Sequence, residues 1–240
     1  MNAKVIAIWG ANGSGKTTTA VNLALALAER NFMVAVISSK IYYGELQIFF
    51  GKRVEQDKGI CRAISNGCNT RNMLIETDNP NLYFLSVPNA FDGMLLTAIN
   101  GDTIHELLKD ASIRFDYIVV DGSEELNNPV SSIGLTMADK VIAVHRASVK
   151  DCMWFSSMAS MISLLQLADK TMHILNAYDK TCDKIAYINS ITLKFEFELP
   201  YVENAKIMEN SGKQIYNSRN GTGIYRKMLD RLASKIIAEG

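Results

Sequence analysis

The sequence predicts an α/β protein: a three-layer α/β/α sandwich on a mainly parallel sheet, organised as one domain over residues 1–240. Three observations predict it. Short runs of β-branched and aromatic residues alternate with longer helical patterns along the chain. The runs are apolar on both faces, as strands are when helices cover both sides of a parallel sheet. A glycine-rich loop joins the first run to the first helical pattern. With 48% hydrophobic residues the chain can bury one large core. Its 25 Lys+Arg balance 25 Asp+Glu, which excludes a broad basic face for nucleic acid or anionic lipid, though not a local patch.

In chain order, strands are expected at Lys4–Trp9, Met33–Ser38, Leu82–Val87, Tyr117–Asp121, Lys140–Val144, Thr171–Asn176 and Leu193–Leu199. Lys16–Glu29 reads as a buried helix and Thr103–Ala111 as an amphipathic one. Val149–Gln166 reads as a helix with Trp154, Met158, Met161, Ile162 and Leu165 on one stripe, expected to be core rather than a ligand site. The polar stretch Lys52–Pro80, with a short helix at Gly59–Ser65, is the segment expected to be mobile. Gly223–Ala238 is an amphipathic helix with Ile224, Met228, Leu229, Leu232 and Ile236 on one face and Arg226, Lys227, Arg231 and Lys235 around the other.

No window of about 18 apolar residues is present to cross a bilayer, and the first motif starts at Gly10, so a cytoplasmic location is expected. Cys61, Cys68, Cys152 and Cys182 form no CxxC pair and are read as reduced, mostly structural thiols. A metal or cluster shared between subunits through Cys61 and Cys68 is the alternative.

The strongest chemical signal is Gly10-Ala11-Asn12-Gly13-Ser14-Gly15-Lys16-Thr17-Thr18, which satisfies GxxxxGK[ST] between a strand and a helix. Such a loop curls backbone N–H groups round a β-phosphate at the positive end of a helix. Lys16 is expected on the β- and γ-phosphates, Thr17 on Mg²⁺, and Thr18 near the α-phosphate. Phe115–Ser123 supplies an apolar strand ending in Asp121, expected to hold Mg²⁺ from the opposite side through a water, with Gly122 free to turn towards a γ-phosphate. A glutamate directly after Asp121 and an LSGGQ-like signature are both missing, which argues against the ABC type. Asn176-Ala-Tyr-Asp179 lacks the lysine of a guanine-binding NKxD, so adenine is preferred and the expected ligand is ATP with Mg²⁺.

The chain resembles the ParA/MinD family of deviant Walker P-loop ATPases, of SIMIBI type. The resemblance rests on the loop and on GKTTTAVNLALALAERNFMVAVI at Gly15–Ile37, FDYIVVDGS at Phe115–Ser123 and ADKVIAV at Ala138–Val144. It continues in HILNAYDK at His173–Lys180 and ELPYVENAKIMENSGK at Glu198–Lys213. It implies a switch in which two subunits sandwich two ATP molecules and the homodimer recruits a protein partner or surface until hydrolysis releases it. It also implies that Asn176 and the Pro200-Tyr201-Val202 turn border the adenine. Asn176 offers a paired donor and acceptor suited to a purine edge; a local backbone cap is its other reading.

Three positions depart from the family pattern. The signature lysine that crosses the dimer is Ala11, the next family glycine is Asn12, and the aspartates of the family's strand-end DxD are Ser38 and Lys40. A unit charge about 5 Å from a phosphate charge is worth on the order of 3 kcal/mol at an effective dielectric of ~20, so exchanging Asp for Lys swings the local energy by about twice that. Lys40 therefore favours ATP and gives no base for water. It is either a replacement for the charge lost at Ala11, with Lys150 as a second candidate, or a solvated residue of a slow, degenerate site. Glu45 is a carboxylate that could orient water, at an unfavourable spacing from Lys40.

Similar departures occur in the divergent TadZ/CpaE type, which positions pilus and secretion machinery. Two functions are carried: an ATPase in a spatial-positioning cycle of a plasmid, chromosome or pilus system, and a slow or non-hydrolysing ATP-dependent dimerisation scaffold. The last helix is read as packing on the domain, with non-specific DNA and then a membrane surface as lesser alternatives.

Overall fold

The computed structural model describes residues 3–89, 99–178, 183–218 and 222–239, with only the backbone of 64–66. Its strands are β1 (Lys4–Trp9), β2 (Val34–Ser38), β3 (Ile75–Glu76), β4 (Leu82–Leu85), β5 (Tyr117–Asp121), β6 (Lys140–His145), β7 (Thr171–Tyr178) and β8 (Phe197–Pro200). The helices are α1 (Lys16–Ala28), α2 (Glu45–Phe50), α3 (Cys61–Asn66), α4 (Thr70–Met73), α5 (Gly101–Ser112), α6 (Pro129–Met137), α7 (Val149–Leu164), α8 (Lys184–Ile191), α9 (Ala205–Asn210) and α10 (Gly223–Ala238).

One eight-stranded sheet runs in the order β3-β4-β2-β5-β1-β6-β7-β8. All its pairings are parallel except β3 with β4. The pleat divides each central strand between two cores. Ile6, Ile8, Val36, Val119, Ile142 and Ile174 join α1 and α10 on one side, whereas Val5, Ala7, Ala35, Ile118, Val120 and Val141 join α5 and α6 on the other. This is the three-layer sandwich that the apolar runs predict. β1 and β5 lie side by side at its centre, with Ile8 in register with Asp121, so their carboxyl ends meet at one crevice.

Several sequence expectations need correction. The stretch expected to be mobile forms α3, α4 and β3, and Thr70 is tied to α5 through its N–H and hydroxyl on Asp110. The run Leu193–Leu199 becomes strand only from Phe197, because α8 ends in Thr192 at φ 52° and Leu193 and Phe195 pack with Tyr187 and Ile191. The α7 stripe is only partly buried, with Trp154 edge-on to Trp9 at 4.8 Å, while Met153 and Leu164 face outward. Cys61 and Cys68 direct their thiols to the carbonyls of Lys58 and Thr103, and burial raises both pKa values. Cys182 and Asp179 lie outside the described residues.

The last helix packs on α1 and β8 through Tyr225, Leu229, Leu232, Ala233 and Ile236. Two of the four residues of its basic face are engaged: Lys235 pairs with Glu196 and Glu239, and Arg226 sits 4.7 Å from the Tyr216 ring centroid, while Lys227 and Arg231 are exposed. Ile224, expected on the packed face, is 70% exposed, whereas Leu232 is fully buried. Leu232→Ala should therefore lower the unfolding free energy in urea by about 2–5 kcal/mol, while Ile224→Ala stays within about 0.5 kcal/mol of the parent.

Candidate nucleotide site

The site is assembled where β1 delivers the chain into the loop Gly10–Gly15. At Gly10 a side chain is impossible, since a Cβ would stand 2.3 Å from the Val144 carbonyl oxygen of the neighbouring strand. Gly15 sits at φ 92°, a left-handed conformation that turns the chain sharply into α1. The first turn of α1 has neither a side-chain cap nor an acidic residue, so its free N–H groups and dipole remain available to an anion. Ser14 Oγ, buried beside them, has no hydrogen-bond partner among the described residues.

Four carboxylates, Asp121, Glu45, Glu124 and Glu209, and two cations, Lys16 and Lys40, surround this turn. Thr17 Oγ1 donates to Asp121 Oδ2 at 2.9 Å and lies 3.5 Å from Glu45 Oε2. Lys16 is buried, donates to Ala11 O at 2.8 Å, and stands 3.7 Å from Glu124 Oε2. Burial lowers the Lys16 pKa against the pull of Glu124 and Asp121, and the positive charge of Lys40 lowers it further. The Lys40 backbone N–H is held by Ser38 Oγ at 3.0 Å, which sets the residue at the end of β2 on the same crevice.

Asp121 is strongly perturbed. Burial pushes its pKa up to about 7, with the negative charge of Glu45 adding to the rise and the Thr17 hydrogen bond opposing it. Its Oδ1 is buried without a partner among the described residues. A buried carboxylate with a free oxygen, next to a threonine hydroxyl, is a hard-oxygen donor pair that fits Mg²⁺.

Beside the loop opens a cavity of about 380 Å³ lined by Gly13–Gly15, Thr18, Asn176, the turn Pro200–Val202 and Glu209. Of the loop and turn residues that the sequence singles out, Gly13, Ser14, Gly15, Thr18, Asn176, Pro200, Tyr201 and Val202 line this cavity, whereas Gly10, Ala11, Asn12, Lys16 and Thr17 do not. Asn176 Nδ2 donates to Ser14 O at 2.8 Å, so its amide braces the loop as well as bordering the cavity. Ala177 at φ 52° and the register irregularity between β7 and β8 turn it that way.

Other residues were not singled out by the sequence. Glu124, Glu209 and Arg146 belong to the site: Glu209 accepts from Thr18 Oγ1 at 2.5 Å, and Arg146 lines the cavity. Lys150 is exposed on α7 and does not line it. The signal for Glu124 was its place three residues past the strand-end aspartate; the other two carried none.

A family model described as an AAA domain matches residues 3–176. An uncharacterized ATP-binding protein of Methanocaldococcus jannaschii is 27% identical over 135 residues, which cover 56% of this chain and 49% of that one. The chain spans about half the length of the curated relatives it matches. Among solved structures, the septum site-determining protein MinD of Pyrococcus horikoshii, complexed with Mg-ADP, superposes with a TM-score of 0.80 at 17% identity, over 98% of this chain and 96% of that one. A ParA family ATPase of Chlorobium tepidum gives a TM-score of 0.80 at 18% identity, over 98% and 99%.

The raised Asp121 pKa has a definite sign. In the free protein this group's contribution to stability falls as pH rises from the ordinary carboxylate value of 3.8 towards about 7 and is level above it. A metal needs the ionised form. Below about pH 7, affinity for Mg-nucleotide should therefore rise by up to about tenfold per pH unit and then flatten, and Asp121→Asn should abolish both the slope and the metal dependence. Titration with a fluorescent ATP analogue across the range checks this.

Proposed function

We propose that this chain, which belongs to the AAA-domain family and within it to the ParA/MinD P-loop ATPases, binds Mg-ATP in the crevice between β1 and β5 and hydrolyses it slowly. One observation carries the reading: an uncapped first turn of α1 faces a buried, half-satisfied Asp121 across Thr17. Thr17 and Asp121 would hold Mg²⁺, which when bound supplies charge neutralisation to the phosphates. Lys16 would exchange Ala11 O and Glu124 for phosphate oxygens, gaining a stronger partner than the backbone carbonyl it now holds.

The cavity beside the loop suits an adenosine. Pro200 and Val202 give it apolar walls and the Asn176 amide reads an edge, while Thr18 sits towards the α-phosphate. Binding there requires Glu209 to release Thr18, since the burial that raises the Glu209 pKa also sets a carboxylate beside the incoming anion. The MinD neighbour complexed with Mg-ADP supports this choice of ligand.

Lys40 lies close enough to Lys16 and Asp121 for its charge to act on both. It strengthens ATP binding and offers no base, so binding and turnover are expected to separate. The nucleotide state would be read out by a homodimer formed over the exposed crevice, where Asn12, Tyr42 and Tyr43 face outward. A protein partner or surface engaged by that dimer would make the switch useful for spatial positioning. With Lys235 and Arg226 of α10 engaged by Glu196, Glu239 and Tyr216, the basic surface left exposed there is limited to Lys227 and Arg231, which favours a protein over DNA or a membrane surface as that partner.

Two variants test the reading. Lys16→Ala should weaken Mg-ATP binding at least about tenfold and abolish turnover. Lys40→Ala should weaken binding by about three- to tenfold, the loss of one partly screened charge. Equilibrium titration and phosphate release measure the two quantities separately, and Lys40→Ala binding as tightly as the parent would remove the role given to its charge.

A further inference from the structure

A hydrolytic site needs a group that accepts a hydrogen bond from the attacking water and holds its lone pair towards phosphorus. The end of β2 does not supply one. Ser38 stands in register with Asp121, and Ser39 and Lys40 follow, so no carboxylate occurs before the chain leaves the crevice. It then turns through Ile41–Gly44 and comes back, opening α2 with Glu45 at the Thr17 hydroxyl.

That return is held firmly. Gln47 donates to Val87 O at 3.0 Å and to Asn89 Oδ1 at 3.0 Å, and accepts from Val54 N–H at 2.7 Å. Leu46, Phe49 and Phe50 are buried in the core under α1, and Gln214 donates to Phe49 O. Gly44 allows the close turn, because a Cβ there would lie 2.4 Å from Val87 O. Glu45 is therefore carried on a packed element although its own side chain is half-exposed.

The other carboxylates of the crevice are committed. Asp121 is buried behind Thr17, Glu124 faces Lys16, and Glu209 is bonded to Thr18 on the adenosine side of the loop. Among the described residues the Glu45 carboxylate has only a contact at the limit of hydrogen bonding, on the phosphate side, where its charge acts on both Lys16 and Asp121.

We infer that Glu45 is the carboxylate that orients the attacking water, taking the place left vacant when the end of β2 became Ser38 and Lys40. The inference rests on the ATPase reading given above. In the step it serves, a bond forms from water oxygen to the γ-phosphorus and the bond from that phosphorus to the β,γ-bridging oxygen breaks. The electron pair leaves with ADP, and the water's proton passes by way of Glu45 to the released phosphate or to solvent.

The test is single-turnover cleavage of pre-bound Mg-ATP, alongside equilibrium Mg-ATP binding, by the full chain and its variants, each with a thermal melt matching the parent. Glu45→Gln and Glu45→Ala should bind within about threefold of the parent and cleave about a hundredfold more slowly, the usual size of a positioned acid–base contribution. Glu45→Asp should keep cleavage within about tenfold of the parent, and Lys40→Asp added to Glu45→Ala should recover about tenfold of the lost rate. Parental cleavage by Glu45→Gln overturns the inference, as does a loss of binding equal to the loss of cleavage. A parent that binds Mg-ATP yet cleaves no faster than Lys16→Ala overturns the role of Glu45 and leaves the binding site standing. A parent that does not bind Mg-ATP removes the ATPase reading itself.

Discussion

The contact between the Thr17 hydroxyl and the Asp121 carboxylate is the constraint on which the rest of the site depends. It brings the first turn of α1 and the carboxyl end of β5 to one point, although the two residues come from different βα units. The parallel pairing of β1 with β5 makes this possible, because it delivers both chain ends to the same edge of the sheet. Burying Asp121 there is costly for an ionised group, which its raised pKa expresses. The free oxygen of that carboxylate and the free N–H groups of α1 are two halves of one unsatisfied arrangement, negative on one side and positive on the other. A metal bound to a polyphosphate would satisfy both at once.

Around that point the charges are distributed in balanced opposition. Lys16 rests against Ala11 O and Glu124, Thr18 against Glu209, and Thr17 against Asp121 and Glu45. Lys16, Thr17 and Thr18, each expected to meet a phosphate or a metal, are thus satisfied in the free protein by acceptors of the chain itself, while Asp121 Oδ1 is left free. The formal neutrality of 25 basic against 25 acidic residues conceals this. Such internal partners keep a charged crevice folded without nucleotide and set part of the cost of binding it.

The central scaffold was legible in the sequence because its signals are local and strong. An apolar strand, GxxxxGKT and a helix-forming run fix Gly10–Thr18, and a strand ending in aspartate fixes Asp121. Elsewhere the signals were weaker. The helix α6 went unread although Asn128 caps it through Val130 N–H and Ser131 N–H and Pro129 starts it, because its Ser, Gly and Thr content hides the apolar face that packs on β1 and β5. Glu45 drew little notice because its distance in sequence from Lys40 does not show that the chain turns back to Thr17. Arg146 and Glu209 reach the cavity only through the tertiary arrangement of β6 and α9, which no local pattern announces.

Calorimetric titration of the full chain with ATP, with Mg²⁺ and then with Mg²⁺ chelated, tests the central claim most directly. Coupling of Thr17 and Asp121 through a metal predicts saturable binding of one ATP per chain that weakens at least about tenfold when Mg²⁺ is removed, and that loses this dependence in Asp121→Asn. Binding that is equally tight with and without Mg²⁺, or no binding at all, would contradict it.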